Sequence, residues 1–364
     1  MPRQKSAAKR AQDPSYKEAN MELRVVDQAA NKPAAKAKAP APIVQDAATH
    51  RRNPGYPLDL DWVERIRMNR SALERRAASL PARRSVKKDY QAAWLLKAIT
   101  LMDLTTLNSD DTPGRVERLC AKARHPVRQD ILDGLGVAEL DIKPAAVCVY
   151  HSFVKTAVDA LEGTGINVAA VSTAFPHGLS PLSTRLAEIE ASVADGANEI
   201  DIVIERGMVL RGDWQALYDE VKAMRKACGD AHIKTILGTG ELATQTNVAK
   251  ASLVCMLAGA DFIKTSTGKE KVNANLPTSL SMVRMIRWFH EETGIEIGYK
   301  PAGGIATAKL SLDYMALMKE ELGTHWLQPH LFRFGASSLL TDIERQLEHT
   351  LTGHYAADYR MPMV

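Results

Sequence analysis

Residues 261–269, DFIKTSTGK, end a short apolar run on Lys264, follow it with Thr265, Ser266 and Thr267, and close on Gly268 and Lys269. Residues 297–304, IGYKPAGG, repeat that plan with Lys300 and the pair Gly303 and Gly304. A short apolar run that stops at a turn signal reads as a strand buried on both faces. A helical pattern follows each turn, at 277–292 and 307–322, so each stretch opens a strand–turn–helix unit.

Outward from these two, the unit recurs along the chain. Strand-like runs occur at 100–104 (TLMDL), 145–150 (AAVCVY), 168–174 (VAAVSTA), 199–204 (EIDIVI), 232–237 (HIKTIL), 262–266 (FIKTS), 297–300 (IGYK) and 331–335 (LFRFG). Helical patterns lie between and after them at 113–123, 153–162, 181–195, 214–227, 244–258, 277–292, 307–322 and 339–351. Eight strands alternating with eight helices over roughly 250 residues predict an α/β fold of the (β/α)8, or TIM, barrel type. A doubly wound open sheet would want a glycine fingerprint after its first strand, and TLMDLTTLN has none.

Ahead of the barrel, Leu60, Trp62, Ile66, Met68, Leu73 and Leu80 lie among arginines and predict amphipathic helices. A further helix is expected over 87–99, with Tyr90, Trp94, Leu95 and Ala98 on one face. These helices are expected to dock on the barrel end or on a partner subunit. The division is thus 1–48 disordered basic tail, 49–97 helical extension, 98–352 barrel and 353–364 C-terminal tail. Residues 1–48 contain NKPAAKAKAPAP and have too little apolar area to offset their ordering entropy.

The net charge of +4 belongs to the leading segment. Residues 1–50 hold nine Lys/Arg against five Asp/Glu, which leaves 38 of each in the remainder of the 47 and 43. A neutral body argues against a basic nucleic-acid-binding domain. Asp13, Glu18, Glu22 and Asp27 argue against a transit peptide, which is poor in acids. Four widely spaced cysteines, Cys120, Cys148, Cys228 and Cys255, fit reduced thiols in a cytoplasmic protein. No apolar run reaches the roughly 20 residues of a membrane span.

In a barrel the active site lies at the C-terminal strand ends, where this sequence places Asp103, Asp201, Lys264 and Lys300. A charge in an apolar strand is costly unless paired, so a structural ion-pair network competes with a catalytic reading. Two lysines among the four favour catalysis by an imine. A lysine attacks a carbonyl only when neutral, and burial or a neighbouring cation lowers its pKa toward roughly 7 to 8. Lys300 would supply that neighbouring charge to Lys264, and an aspartate would shuttle protons, ideally through one water. Small-residue loops at Gly303–Gly304, at Gly335, Ser337 and Ser338, and at Gly268 with Lys269 suit a phosphate held by backbone N–H groups. Thr267 would line the substrate. Cys148 could face it too, although an inert buried thiol is the blander reading. His151 and His177 carry no HxH or HExxH spacing, which argues against a metal-dependent aldolase.

In this order, LMDLTTL, VCVY, TAFPHG, EIDIVI, TGEL, DFIKTSTGK, KPAGGIAT and RFGASSLL resemble the class I, DeoC-type deoxyribose-phosphate aldolase family, in its longer eukaryotic-like form. The resemblance spans about 92–351. It implies reversible cleavage of 2-deoxy-D-ribose 5-phosphate to D-glyceraldehyde 3-phosphate and acetaldehyde, with no metal or organic cofactor. It further implies Lys264 as Schiff-base lysine, Lys300 as the second lysine, Asp201 as acid/base partner and Asp103 as holder of the lysines. Gly268, Lys269, Gly303, Gly304, Gly335, Ser337 and Ser338 fall on its phosphate-binding loops. Departures are Ala306 for a basic residue, Gly238 for a glutamate, and His151 for a proline or small residue. Where compact members end in a tyrosine that reaches the site, this chain ends YAADYRMPMV, with Tyr355 and Tyr359. Alternatives are a transaldolase-like enzyme on another phosphosugar and a non-catalytic phosphosugar-binding scaffold. A homodimer is one arrangement the arginine- and tryptophan-bearing helices allow.

Overall fold

The computed structural model describes residues 52–83 and 85–361. The reading of residues 1–48 as a disordered tail falls outside them. Eight parallel strands form one sheet: β1 (Met102–Thr105), β2 (Ala146–Tyr150), β3 (Asn167–Ser172), β4 (Glu199–Val203), β5 (His232–Ile236), β6 (Phe262–Lys264), β7 (Gly298–Lys300) and β8 (Phe334–Ala336). From β1 to β7 each strand pairs with its neighbours in sequence, and β8 pairs with β1. The remaining seam, between β7 and β8, closes through bridges from Tyr299 to Phe332 and from Ala302 to Gly335. The sheet therefore curls into a barrel that leaves no long free edge.

The eighth strand is shorter than the expected 331–335. Leu331 and Arg333 still exchange backbone hydrogen bonds with Tyr299, at 2.9 and 3.0 Å, but as part of this seam and not of β8 itself. The sixth strand likewise stops at Lys264, and Thr265 turns to donate its N–H to Lys300 O at 3.1 Å.

Helices surround the barrel because their apolar stripes match the strands' outward side chains. In the helix Trp214–Ala227, Trp214, Leu217, Tyr218, Val221 and Met224 are buried at helical spacing. Asp213 caps it by accepting from Ala216 N at 3.2 Å. Thr112, Thr244, Asn275 and Thr307 cap the helices that begin at Pro113, Gln245, Leu276 and Ala308 in the same way. Two short helices, Gln129–Gly134 and Arg206–Arg211, escape the sequence reading, since each buries one residue and shows no stripe.

The N-terminal helices Leu60–Arg65, Arg70–Arg83 and Asp89–Thr100 lie along the outside of the ring. Arg70–Arg83 packs on Leu276–Thr293, and Asp89–Thr100 on Ala308–Leu322 and Ser338–Thr352. Trp62 stacks on Phe289 at 6.2 Å and meets Trp288 edge-on at 5.5 Å. The expected docking of these helices on a barrel end is therefore corrected: they pack on ring helices. It is the segment before them that reaches the floor side of β6, where Asn53 Nδ2 donates to Met256 O and Ala260 O, at 2.7 and 2.8 Å. No helix among the described residues is long and apolar enough to cross a membrane.

Candidate active site

Parallel register brings the charges together. Asp201 lies opposite Lys234, Lys264 opposite Lys300, and Asp103 opposite Gly335. Cross-strand neighbours stand about 4.8 Å apart, so inward-pointing side chains at these positions meet. Lys264 Nζ donates to Asp201 Oδ2 at 2.8 Å, and Lys300 Nζ donates to the same oxygen at 2.7 Å. Lys300 also donates to Asp103. All four predicted residues are buried.

Three further charges complete the cluster, and the sequence reading missed them. Lys234 Nζ lies 2.7 Å from both Asp201 Oδ1 and Glu199 Oε2. Arg333 bonds Asp103 through one amino group and Glu199 Oε1, at 2.7 Å, through the other. They were visible by the rule that finds Asp201. Lys234 interrupts HIKTIL, Arg333 interrupts LFRFG, and Glu199 stands two residues before Asp201 and so shares its face. Glu199 and Arg333 lie below the strand ends, where an active site is not sought, whereas Lys234 stands level with Asp201.

Four cations, Lys234, Lys264, Lys300 and Arg333, thus face three carboxylates, Asp103, Glu199 and Asp201. A buried excess of one positive charge is costly, and neutrality of one lysine removes it. Lys264 has one ionic partner, Asp201, whereas Lys300 has two and Lys234 three. Its pKa falls below the ordinary lysine value because burial, together with Lys300, outweighs Asp201. For Lys300, burial is outweighed by Asp103 and Asp201, and its pKa rises. Burial also acts on Asp201, but Lys234, Lys264 and Lys300 overcome it and hold the carboxylate well below the usual range. The neighbouring cation foreseen for Lys264 is present; burial acts more strongly.

An apolar wall stands beside the lysines. Leu107, Ala146, Cys148, Ala169 and Val171 pack together inside the mouth, with Tyr150 and Phe175 against them. Cys148 thus faces the interior, and burial pushes its thiol pKa up.

The small-residue loops differ in what they leave free. Gly304, at φ +79°, is exposed, and a methyl group added to it would meet no atom within 4 Å. Gly303, at φ +82°, abuts Asn273 instead. Gly335 lies within β8, where its N–H is taken by Pro301 O at 3.0 Å; its missing side chain leaves room for Ala302 Cβ across the seam. Ser337 and Ser338 are exposed at the start of the last helix, and Ser337 makes no side-chain cap. Lys269 is exposed, but the N–H groups of Thr267 and Gly268 both donate to the carboxylate of Glu270. His151 lies 3.5 Å from Glu188, and the His177 carbonyl accepts from Arg206. Tyr355 stacks on His349 at 4.3 Å and Arg360 pairs with Glu348 at 3.0 Å, so this segment is tied to the last turns of the last helix.

Comparison with known proteins gives one consistent result. The model of the DeoC/LacD family aldolases matches residues 97–342. Deoxyribose-phosphate aldolase of Homo sapiens is 57% identical over 313 residues, 85% of this chain and 98% of the relative. That of Mus musculus is 58% identical over 311 residues, with the same coverage of both chains. The solved tetrameric deoxyribose phosphate aldolase from Aeropyrum pernix superposes with a TM-score of 0.53 at 21% identity, covering 72% of this chain and 97% of that one. This last likeness bears on the fold alone.

Proposed function

Because the chain belongs to the DeoC/LacD family of aldolases, we propose that it reversibly cleaves 2-deoxy-D-ribose 5-phosphate through an imine on Lys264. One observation carries the reading: Lys264, the one lysine of the cluster whose pKa is lowered, shares Asp201 Oδ2 with Lys300, and the cluster balances when one lysine is neutral.

The neutral amine of Lys264 adds to the aldehyde carbon C1 of the open-chain sugar, and loss of water leaves a protonated imine. That cation draws electrons from the C2–C3 bond. As the bond breaks, the C3 hydroxyl gives up its proton and C3 becomes the aldehyde of glyceraldehyde 3-phosphate. C2 of the enamine left behind then takes a proton, and hydrolysis frees acetaldehyde and Lys264. Asp201, held ionised, is the proton acceptor of this pair, and the Lys300 ammonium is the donor. Asp103 fixes Lys300, and Cys148 belongs to the apolar wall beside the two-carbon fragment. Lys269, Gly303, Gly304, Ser337 and Ser338 surround the phosphate. Gly335 contributes by letting the seam close against Ala302 beside Lys300, and Thr267 and Gly268 by shaping the loop that carries Lys269. A cytoplasmic setting belongs to the same proposal, supported by four free, buried thiols.

The test is covalent. Incubation with acetaldehyde or deoxyribose 5-phosphate, followed by borohydride reduction, is expected to leave one adduct that peptide mass spectrometry places on Lys264. An adduct elsewhere, or none, would sink the mechanism.

A further inference from the structure

We propose that Glu270 is a positioning residue for the phosphate end of the substrate, a built-in anion that holds the loop after β6 in its working shape. The proposal deepens the aldolase reading and rests on it. The Glu270 carboxylate occupies the anion nest of that loop. Thr267 N donates to both its oxygens at 3.0 Å, Gly268 N to Oε2 at 3.1 Å, and Thr267 Oγ1 to Oε2 at 2.8 Å. Two successive N–H groups and a hydroxyl on one carboxylate are a strong, directional set. They bind a group of the protein where a substrate phosphate would otherwise compete.

The knot extends to neighbouring loops through Arg206. Its guanidinium donates to Glu270 Oε1 at 3.1 Å, to Pro176 O at 3.1 Å and to His177 O at 3.0 Å, and lies 2.8 Å from Glu241 Oε2. It therefore joins the loops after β3, β5 and β6 to its own position after β4. On the other side, Glu270 O accepts from Asn273 Nδ2 at 2.9 Å, and Asn273 packs against Gly303 of the β7 loop. Gly238 completes the fit, since a methyl group there would collide with Arg206 Nε. The glycine that departs from the compact pattern is thus the space in which Arg206 lies.

The consequence concerns Lys269. Thr267 Oγ1, while donating to Glu270, accepts from Lys269 N at 3.1 Å, so the nest fixes the backbone of Lys269. The Lys269 ammonium is exposed and has no ion pair among the described residues. Glu270 satisfies the loop's own donors and leaves that charge for the substrate.

Steady-state kinetics of Glu270→Ala and Glu270→Gln test this with deoxyribose 5-phosphate and unphosphorylated 2-deoxyribose. For Glu270→Ala the KM for the phosphosugar is expected to rise about tenfold while kcat changes about twofold or less. The unphosphorylated sugar should lose little, and added acetate should restore part of the KM by refilling the nest. Glu270→Gln, which keeps one acceptor, should fall between. An unchanged KM, or equal losses on both sugars with no acetate rescue, would overturn the proposal. Tryptic cleavage after Lys269 and Lys271 needs no turnover and separates this from failure of the aldolase reading. Acetate-reversible acceleration in Glu270→Ala supports the nest even in an inactive protein; unaltered cleavage refutes it.

Discussion

Lys264 and Lys300 are chemically alike and stand opposite each other in register, yet their surroundings push them apart. Burial, helped by Lys300, lowers the pKa of Lys264; Asp103 and Asp201 raise that of Lys300. The sign of two pH effects follows. Only neutral Lys264 adds to a carbonyl, so kcat/KM should rise with pH along a limb set by its pKa in the free enzyme. Lys300 lowers that pKa, so Lys300→Met should move the limb to higher pH. Asp201 raises it, so Asp201→Asn should move the limb to lower pH, while turnover falls by roughly 10²–10⁴ with loss of the proton acceptor. A pH profile of each variant checks this, and shifts in the same direction would refute the assignment. Asp103, Asp201, Lys264 and Lys300 were legible in the sequence because each breaks an apolar run near a strand's exit. Glu199, Lys234 and Arg333 break runs too, but only the folded barrel shows that Glu199 and Arg333 lie beneath the exit charges and that Lys234, level with Asp201, joins the two.

Strands β7 and β8 meet at the seam by isolated bridges, and the chemistry depends on that seam. Gly335 there lets β8 close against Ala302, two residues after Lys300. A methyl group on it would lie 2.9 Å from Ala302 Cβ and 3.4 Å from Lys300 Cε. The first distance is too short for carbon atoms, so the seam must shift, and the lysine with it. Gly335→Ala is expected to cost about 1–3 kcal/mol of stability and to lower kcat at least tenfold, since about 1 Å of misplacement costs on that order or more. Thermal unfolding and steady-state rates check both, and an unchanged kcat would remove Gly335 from any role in placing Lys300. The order and type of the long elements were legible because strand and helix periods differ. The seam was not, since the pairing of Leu331 and Arg333 with Tyr299 is settled by closure across the chain. The loops were legible as glycine turns, but not as occupied or open. Gly304 stands open, Gly303 is packed on Asn273, and the Gly268 amide is held by Glu270.

At the scale of the molecule, the N-terminal extension covers the outside of the helical ring. Trp62, Val63 and Ile66 are buried, with Trp62 covering Trp288 and Phe289. Glu64 reaches Lys250 at 2.7 Å and Trp214 Nε1 at 3.2 Å. Nearer the floor, Asn53 N donates to Asp261 Oδ1 at 2.7 Å. Asp261 is buried, and burial raises its pKa against the pull of Arg225 and the Asn53 N–H. Removing residues 1–48 leaves all these contacts in place and should change neither turnover nor the unfolding temperature. Removing residues 1–66 strips Trp62 from Phe289 and a donor from a buried carboxylate. Loss of a buried tryptophan alone costs about 3–5 kcal/mol, so this second truncation should unfold at markedly lower temperature or accumulate as insoluble protein. Parallel melting curves and rates of the two truncations decide the matter. Equal stability would show that the extension merely lies on the barrel, whereas a large gap confined to the second makes residues 52–66 part of the folded body.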